Sequence, residues 1–224
     1  LVVLAPRDTE LPDSALSYML ARFQEWGAED GSEYVWHDGT LDVAALEAAL
    51  LRACDERMPV ALLGTSFAFV HAEDALQRRF SLPEGSRIMQ TGGYKGRSRS
   101  VEPSEMLTLL SARYGVAEPF VVEEYGMTEL SSQLYGTTLR QALLGQPVGP
   151  RRLWAPGWVR AEPIDPTSLE VVAPGVTGVL RIDDLANLLL TLLIGDPALA
   201  QVVAGGGEQV VAADGTEASQ EYRV

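Results

Sequence analysis

Cysteine is nearly absent from this sequence. Cys54 stands alone, so the chain can form no internal disulfide and no multi-cysteine metal site. Histidine is almost as scarce, and His37, His71 and one cysteine cannot close a zinc site between them. Lysine occurs once, at Lys95, which confines any mechanism needing an amine to a single position. Positive charge is in deficit overall: 17 Lys and Arg against 31 Asp and Glu leave a formal net charge of −14 over 224 residues. A field of that sign repels phosphate backbones and anionic lipid, so neither nucleic acid nor a membrane surface is expected as a partner. Long apolar runs are missing too. The longest, from Leu185 to Ile194, falls well short of the roughly 20 residues a membrane-spanning helix needs. Low cysteine usage fits a reducing cytoplasm.

What the chain does have is a hydrophobic share of 46% with 21% charged residues, the composition of an ordinary globular protein with a sizeable core. Up to about Tyr135, short apolar runs alternate with segments of helical period. Leu1–Ala5 reads as a strand already under way, with no initiating Met, and further residues are expected before it. Leu16, Met19, Leu20 and Phe23 predict a helix over Asp13–Trp26, capped by Asp13 or Ser14 and closed by Gly27. Tyr34–Trp36 reads as a short strand. Val43, Leu46, Ala49, Leu50 and Ala53 predict a helix over Asp42–Arg57. Pro59–Leu63 is strand-like and ends in Gly64, and a helix is expected over Ala68–Arg79. Arg87–Gln90 is strand-like. Pro103 sits in the first turn of a helix over Glu102–Tyr114, where its missing N–H costs nothing. Pro119–Glu123 is strand-like, and Thr128–Tyr135 is expected to begin one more helix.

Strands alternating with helices over short loops predict an α/β fold: a mainly parallel sheet covered by helices on both faces. The character changes in the Gly- and Pro-rich stretch Gly145–Pro156. Beyond it, Trp158–Ile164, Leu169–Val172 and Val179–Ile182 read as strands separated by Asp165-Pro166 and Pro174-Gly175 turns. The expected organisation is therefore an α/β subdomain over 1–144, followed by a smaller β-rich subdomain over 145–224 with an irregular tail.

Two stretches carry the chemistry. In Glu123-Glu124-Tyr125-Gly126-Met127-Thr128-Glu129-Leu130, a strand exit leads to glycine, a hydroxyl residue and a carboxylate at an expected helix start. Unpaired N–H groups and the hydroxyl can face phosphate oxygens there, with a carboxylate able to hold Mg²⁺ beside them. Equally, Thr128 can simply cap the helix while Gly126 turns the chain. The second stretch is Thr91-Gly92-Gly93-Tyr94-Lys95-Gly96-Arg97. Gly92 and Gly93 allow close backbone approach to a flat or anionic ligand, and Lys95, Arg97 and Arg99 form a basic patch in an acidic chain. A solvated loop accounts for the same residues.

Three runs together resemble the acyl-protein synthetases: Gly92-Gly93-Tyr94-Lys95-Gly96-Arg97-Ser98-Arg99, Glu124-Tyr125-Gly126-Met127-Thr128-Glu129-Leu130-Ser131-Ser132-Gln133 and Asp184-Leu185-Ala186-Asn187. Phe67-Ala68-Phe69-Val70-His71 fits the same family. These are the fatty-acid-activating branch of the adenylate-forming superfamily that includes acyl-CoA and aryl-CoA ligases. The resemblance implies activation of a fatty or aromatic carboxylic acid by ATP and Mg²⁺, then acyl transfer to a thiol acceptor on a carrier protein or reductase partner. It implies that Thr128 contacts the α-phosphate and Glu129 holds Mg²⁺. Gly92, Gly93, Tyr125, Gly126 and Met127 would lie along the nucleotide, and Asp196 would hold the ribose hydroxyls. His71, Tyr94, Lys95 and Arg97 would line the acyl pocket or bind an anion; His71 is equally readable as a satisfied, partly buried histidine. The resemblance also places the family's Ser/Thr/Gly-rich phosphate loop upstream of Leu1. Where the family has a Gly-Arg hinge, this sequence has Ala212-Ala213, and the family's late lysine and C-terminal cysteine have no counterpart in it.

Other readings stay open on the sequence. An acyltransferase on the same scaffold would move an acyl group from a thioester to a carrier protein without needing ATP. A non-catalytic binding partner would keep only the acyl pocket. Gly64-Thr65-Ser66-Phe67-Ala68 is a loose form of a nucleophile elbow, although a hydrolase would also need a histidine late in the chain, where there is none. Cys54, within a helix, reads as a small packed residue rather than a nucleophile.

Overall fold

The computed structural model describes residues 1–27, 32–93, 98–127, 129–187, 191–194, 201–203 and 210–212. They fall into two compact units, Leu1–Val122 and Glu123–Val224.

The first unit runs β1 (Val2–Leu4), α1 (Ala15–Gly27), β2 (Glu33–Tyr34), β3 (Trp36–His37), β4 (Thr40–Leu41), α2 (Val43–Glu56), β5 (Ala61–Thr65), α3 (Ser66–Ala75), β6 (Arg87–Thr91) and α4 (Pro103–Tyr114). Strand β1 pairs in parallel with β2 and β5, and β5 pairs in parallel with β6. Successive strand residues point to opposite faces. Val2 and Val3, Leu62 and Leu63, and Ile88 and Met89 are nevertheless all buried. Both faces of the sheet are covered, the condition under which parallel sheets occur. The α/β class with a mainly parallel sheet flanked by helices is what the sequence predicts.

The helices explain their own ends. Asp42 accepts the N–H of Ala45 at the start of α2, and Arg57 closes that helix at φ 53°. Ser14 accepts the N–H of Ser17 at the start of α1. Helix α2 buries Leu46, Ala49, Leu50 and Ala53; α4 buries Met106, Leu110 and Tyr114. These side chains join Val2, Leu4, Leu62 and Ile88 in one core. At Gly64 the sheet leaves no room for a side chain, because a Cβ there would stand 2.8 Å from Leu4 Cβ.

Helix α3 stops at Ala75 rather than continuing to Arg79. The following residues bond to the end of α4 instead: Phe80 N–H donates to the Arg113 carbonyl, Leu82 N–H to the Tyr114 carbonyl, and Arg113 to the Arg78 carbonyl. Arg113 also grips Glu73 of α3 through two short bonds of 2.6 and 2.7 Å.

Strand β7 (Val121–Tyr125) leads into the second unit, which contains β8 (Leu134–Gly136), α5 (Thr138–Leu143), β9 (Arg152–Trp154), β10 (Val159–Ile164), β11 (Val179–Asp184), β12 (Thr191–Ile194), β13 (Gln201–Val203) and β14 (Val210–Ala212). Its pairings are antiparallel: β7 with β8, β8 with β9, β9 with β14, β14 with β13, and the ladder β10–β11–β12. A separate core gathers Leu130, Leu134, Leu153, Val159, Leu180 and Ile182.

Two sequence expectations fail in this unit. Residues 129–135 do not continue a helix; they turn, and the chain returns as β8 against β7, with Tyr125 opposite Leu134. Leu169–Val172 is not a strand either, keeping only a bridge between Val171 and Ile164. Asp165 holds that turn by accepting the N–H groups of Thr167 and Ser168, which keeps its carboxyl below the usual carboxylate range. Helix α5 has no counterpart in the sequence reading.

Candidate functional site

Tyr94, Lys95, Arg97, Thr128 and Asp196 lie outside the described residues. The remaining candidates divide between the two units.

In the first unit, Gly92 and Gly93 follow β6 directly, both exposed. Gly93 has φ +98°, a conformation that L side chains rarely adopt. Space around Gly92 is open. The base of this turn is braced by Ser66, buried at the start of α3, whose hydroxyl lies 3.1 Å from Gln90 Oε1 and 3.0 Å from the Thr91 carbonyl. Ser66 is thus occupied as a donor to β6, an arrangement unlike that of a nucleophile beside its base. Thr65 caps α3 by accepting the N–H of Ala68. His71 is exposed, its ring 5.8 Å from Trp36 and 6.4 Å from Phe67. Arg99 reaches Asp74 at 3.3 Å, and Cys54 Sγ lies 3.5 Å from the Ser81 carbonyl.

The second unit holds the more developed arrangement. Tyr125 and Met127 pack against the core around Leu130 and Leu134. A Cβ at Gly126 would come 2.5 Å from Oε1 of the buried Glu124, so that carboxylate would have to shift to admit a side chain. Burial, then the nearby Glu124, pushes the Tyr135 phenol up to about 12. Glu123 is paired with Arg151 at 3.4 Å, yet burial outweighs the guanidinium and holds its carboxyl above the usual carboxylate range.

After Met127 the chain is pinned from a distant segment. The Asn187 side-chain amide donates to the Glu129 carbonyl at 2.5 Å. Asp184, at the end of β11 and only 2% exposed, accepts the Ser131 N–H on one oxygen. Its other oxygen accepts the Ser132 hydroxyl and the Ala186 N–H. Trp158 donates its indole N–H to Ser132 Oγ at 2.9 Å. The structure therefore brings together Glu124–Gln133 and Asp184–Asn187, two runs that carry the family resemblance. The parts of Ser131, Ser132, Trp158 and Asp184 were not read from the sequence. The available signal was an acidic residue in step with Leu180 and Ile182, on the buried side of an alternating strand.

Among the described residues of this tied segment, one group is left over. Glu129 Oε2 is buried and has no hydrogen-bond partner. Glu129 as a residue is half-buried, and a hard cation that takes oxygen ligands suits an unpartnered carboxylate oxygen. Among the described residues no three His, Cys, Asp or Glu side chains gather as a metal cage. Mg²⁺ needs none, since it is commonly held by one or two carboxylates together with substrate phosphates.

Solved structures supply the comparison for this architecture. The ATP-bound crystal structure of MatB from Rhodopseudomonas palustris superposes with a TM-score of 0.53 at 15% identity, over 92% of this chain and 42% of that one. The fold is shared with MatB. An ATP-bound MatB–BclM chimera, B3, gives a TM-score of 0.54 at 15% identity, again over 92% of this chain and 42% of the other. Apo MatB gives 0.52 at 17% identity, over 82% and 31%. The chain thus spans less than half the length of the MatB structures it matches. No protein-family model matches the sequence, and no curated protein matches it either. Among the described residues, no helix is long and apolar enough to cross a membrane.

Proposed function

We propose that this chain is part of an adenylate-forming enzyme of the acyl-protein synthetase type, which activates a fatty or aromatic carboxylic acid with ATP and Mg²⁺. The observation that carries this reading is the unpartnered, buried Glu129 Oε2, on a segment tied in place by Asp184 and Asn187. The fold shared with ATP-bound MatB supports it, as do the three sequence runs.

In the proposed reaction, a carboxylate oxygen of the acid bonds to the α-phosphorus of ATP. The bond from that phosphorus to the bridging oxygen breaks, and pyrophosphate leaves. A thiol then takes the acyl group and releases AMP, with a carrier protein or reductase as the acceptor. Glu129 would hold Mg²⁺, whose chemistry when bound is to neutralise charge gathering on the phosphate oxygens. Thr128 would donate to the α-phosphate, and Asp196 would accept from the ribose hydroxyls. Tyr125, Gly126 and Met127 would form a wall for the nucleotide, and Gly92 and Gly93 would give flat groups close access to backbone. His71, Tyr94, Lys95 and Arg97 are assigned to the acyl chain or its carboxylate.

Pyrophosphate release by the full chain, measured with a panel of fatty and aromatic acids, tests the proposal. Acid-dependent release supports it. Acyl exchange between thioesters with no release for any acid would move the assignment to an ATP-independent acyltransferase.

A further inference from the structure

Asp184 and Ser132 do more than fill a core. Both are buried, and every hydrogen bond described for their side chains bears on the segment after Met127 or on the turn that holds it. A carboxylate only accepts and an indole N–H only donates. With Trp158 donating to Ser132 Oγ, the hydroxyl proton of Ser132 must go to Asp184. The relay therefore has one direction, Trp158 to Ser132 to Asp184. Asp184 meanwhile holds the Ser131 N–H at 3.0 Å, and Asn187, whose own N–H donates to the Asp184 carbonyl, holds the Glu129 carbonyl. Leu130, between these anchor points, is buried in the core. The backbone on both sides of Leu130 is thus fixed, while Glu129 Oε2 is left unpartnered.

We infer that Ser132 and Asp184 are positioning residues that fix the backbone next to Glu129 and so keep its carboxylate in place for a divalent cation, with Trp158 setting the direction of the bond between them. This rests on the reading of Glu129 as the Mg²⁺ ligand. Partners that orient a metal ligand from behind typically control metal affinity by about 10- to 100-fold. A purely structural role would weaken nucleotide binding whether or not metal is present.

The test is calorimetric titration of the full chain with ATP over a series of Mg²⁺ concentrations and in EDTA. Ser132→Ala is expected to raise the Mg²⁺ needed for half of the metal-dependent gain in ATP affinity by about tenfold, leaving affinity in EDTA unchanged. Ser132→Thr keeps a hydroxyl and is expected to stay near wild type. Trp158→Phe keeps a ring and is expected to shift the requirement in the same direction as Ser132→Ala, so the relay is probed even if one variant folds poorly. An unchanged Mg²⁺ requirement in both Ser132→Ala and Trp158→Phe would overturn the inference, as would an equal loss of affinity with and without metal. If wild type itself shows no Mg²⁺-dependent ATP binding, the functional reading fails, a result distinct from those two.

Discussion

The Asp184 carboxylate accepts the backbone N–H of Ser131 at 3.0 Å across 53 positions of sequence. That bond decides the local structure. Leu130 and Leu134 stand at helical spacing, and both are buried, as they would be on a helix. The N–H of Ser131 is instead taken by a side chain from the end of β11, and the chain turns back as β8.

Gly64 should tolerate no side chain. It faces Leu4 across the parallel pair of β1 and β5, and a Cβ would meet both Leu4 Cβ at 2.8 Å and the Leu4 carbonyl at 3.0 Å. Because one of those atoms is backbone, the strands themselves must move apart. Gly64→Ala is expected to destabilise the protein by about 2 kcal/mol, read as a lowered urea midpoint. An unchanged midpoint would contradict this packing.

Tyr114 gives the opposite expectation. Its ring is 1% exposed and stacks on Phe80 at 6.3 Å, but its hydroxyl has no hydrogen-bond partner. Burial pushes the phenol far above its ordinary range, so it stays protonated. Tyr114→Phe removes an unsatisfied polar group at almost constant volume and is expected to stabilise the protein by about 1 kcal/mol. A loss of stability on urea denaturation would show that the hydroxyl is satisfied after all.

Glu123 sets a pH dependence. Burial raises its folded-state pKa above the ordinary carboxylate range, with Arg151 opposing the shift. The folded state therefore binds this proton more tightly than the unfolded state does. The resulting stability is present below the unfolded pKa and is lost as pH rises through the raised folded value. Urea midpoints from pH 4 to pH 7 should thus decline more steeply in wild type than in Glu123→Gln. Parallel profiles would contradict the assignment.

Much of the fold was legible because local signals agreed with it. Helix α2 carries its cap at Asp42 and its apolar face at Leu46, Ala49, Leu50 and Ala53, so period and capping specify the same element. The parallel sheet followed from the alternation of apolar runs and helices. What escaped was set by distant partners. The helix expected to run on to Arg79 stops at Ala75, and the end of α4 bonds to Arg78, Phe80 and Leu82 instead. Of the candidate site, Glu129 and the Asp184–Asn187 run were visible as motifs. That Ser132, Asp184 and Trp158 act on the same segment depends on contacts spanning 26 to 53 positions, which no local pattern records.

The proposed function is tested most directly by carboxylic-acid-dependent exchange of labelled pyrophosphate into ATP, comparing wild type with Glu129→Gln and Thr128→Ala. Exchange is expected in wild type, with a loss of about 10²- to 10³-fold in each variant and circular dichroism and urea midpoints little changed. Exchange at the wild-type rate in Glu129→Gln would remove that carboxylate from the reaction and contradict the account.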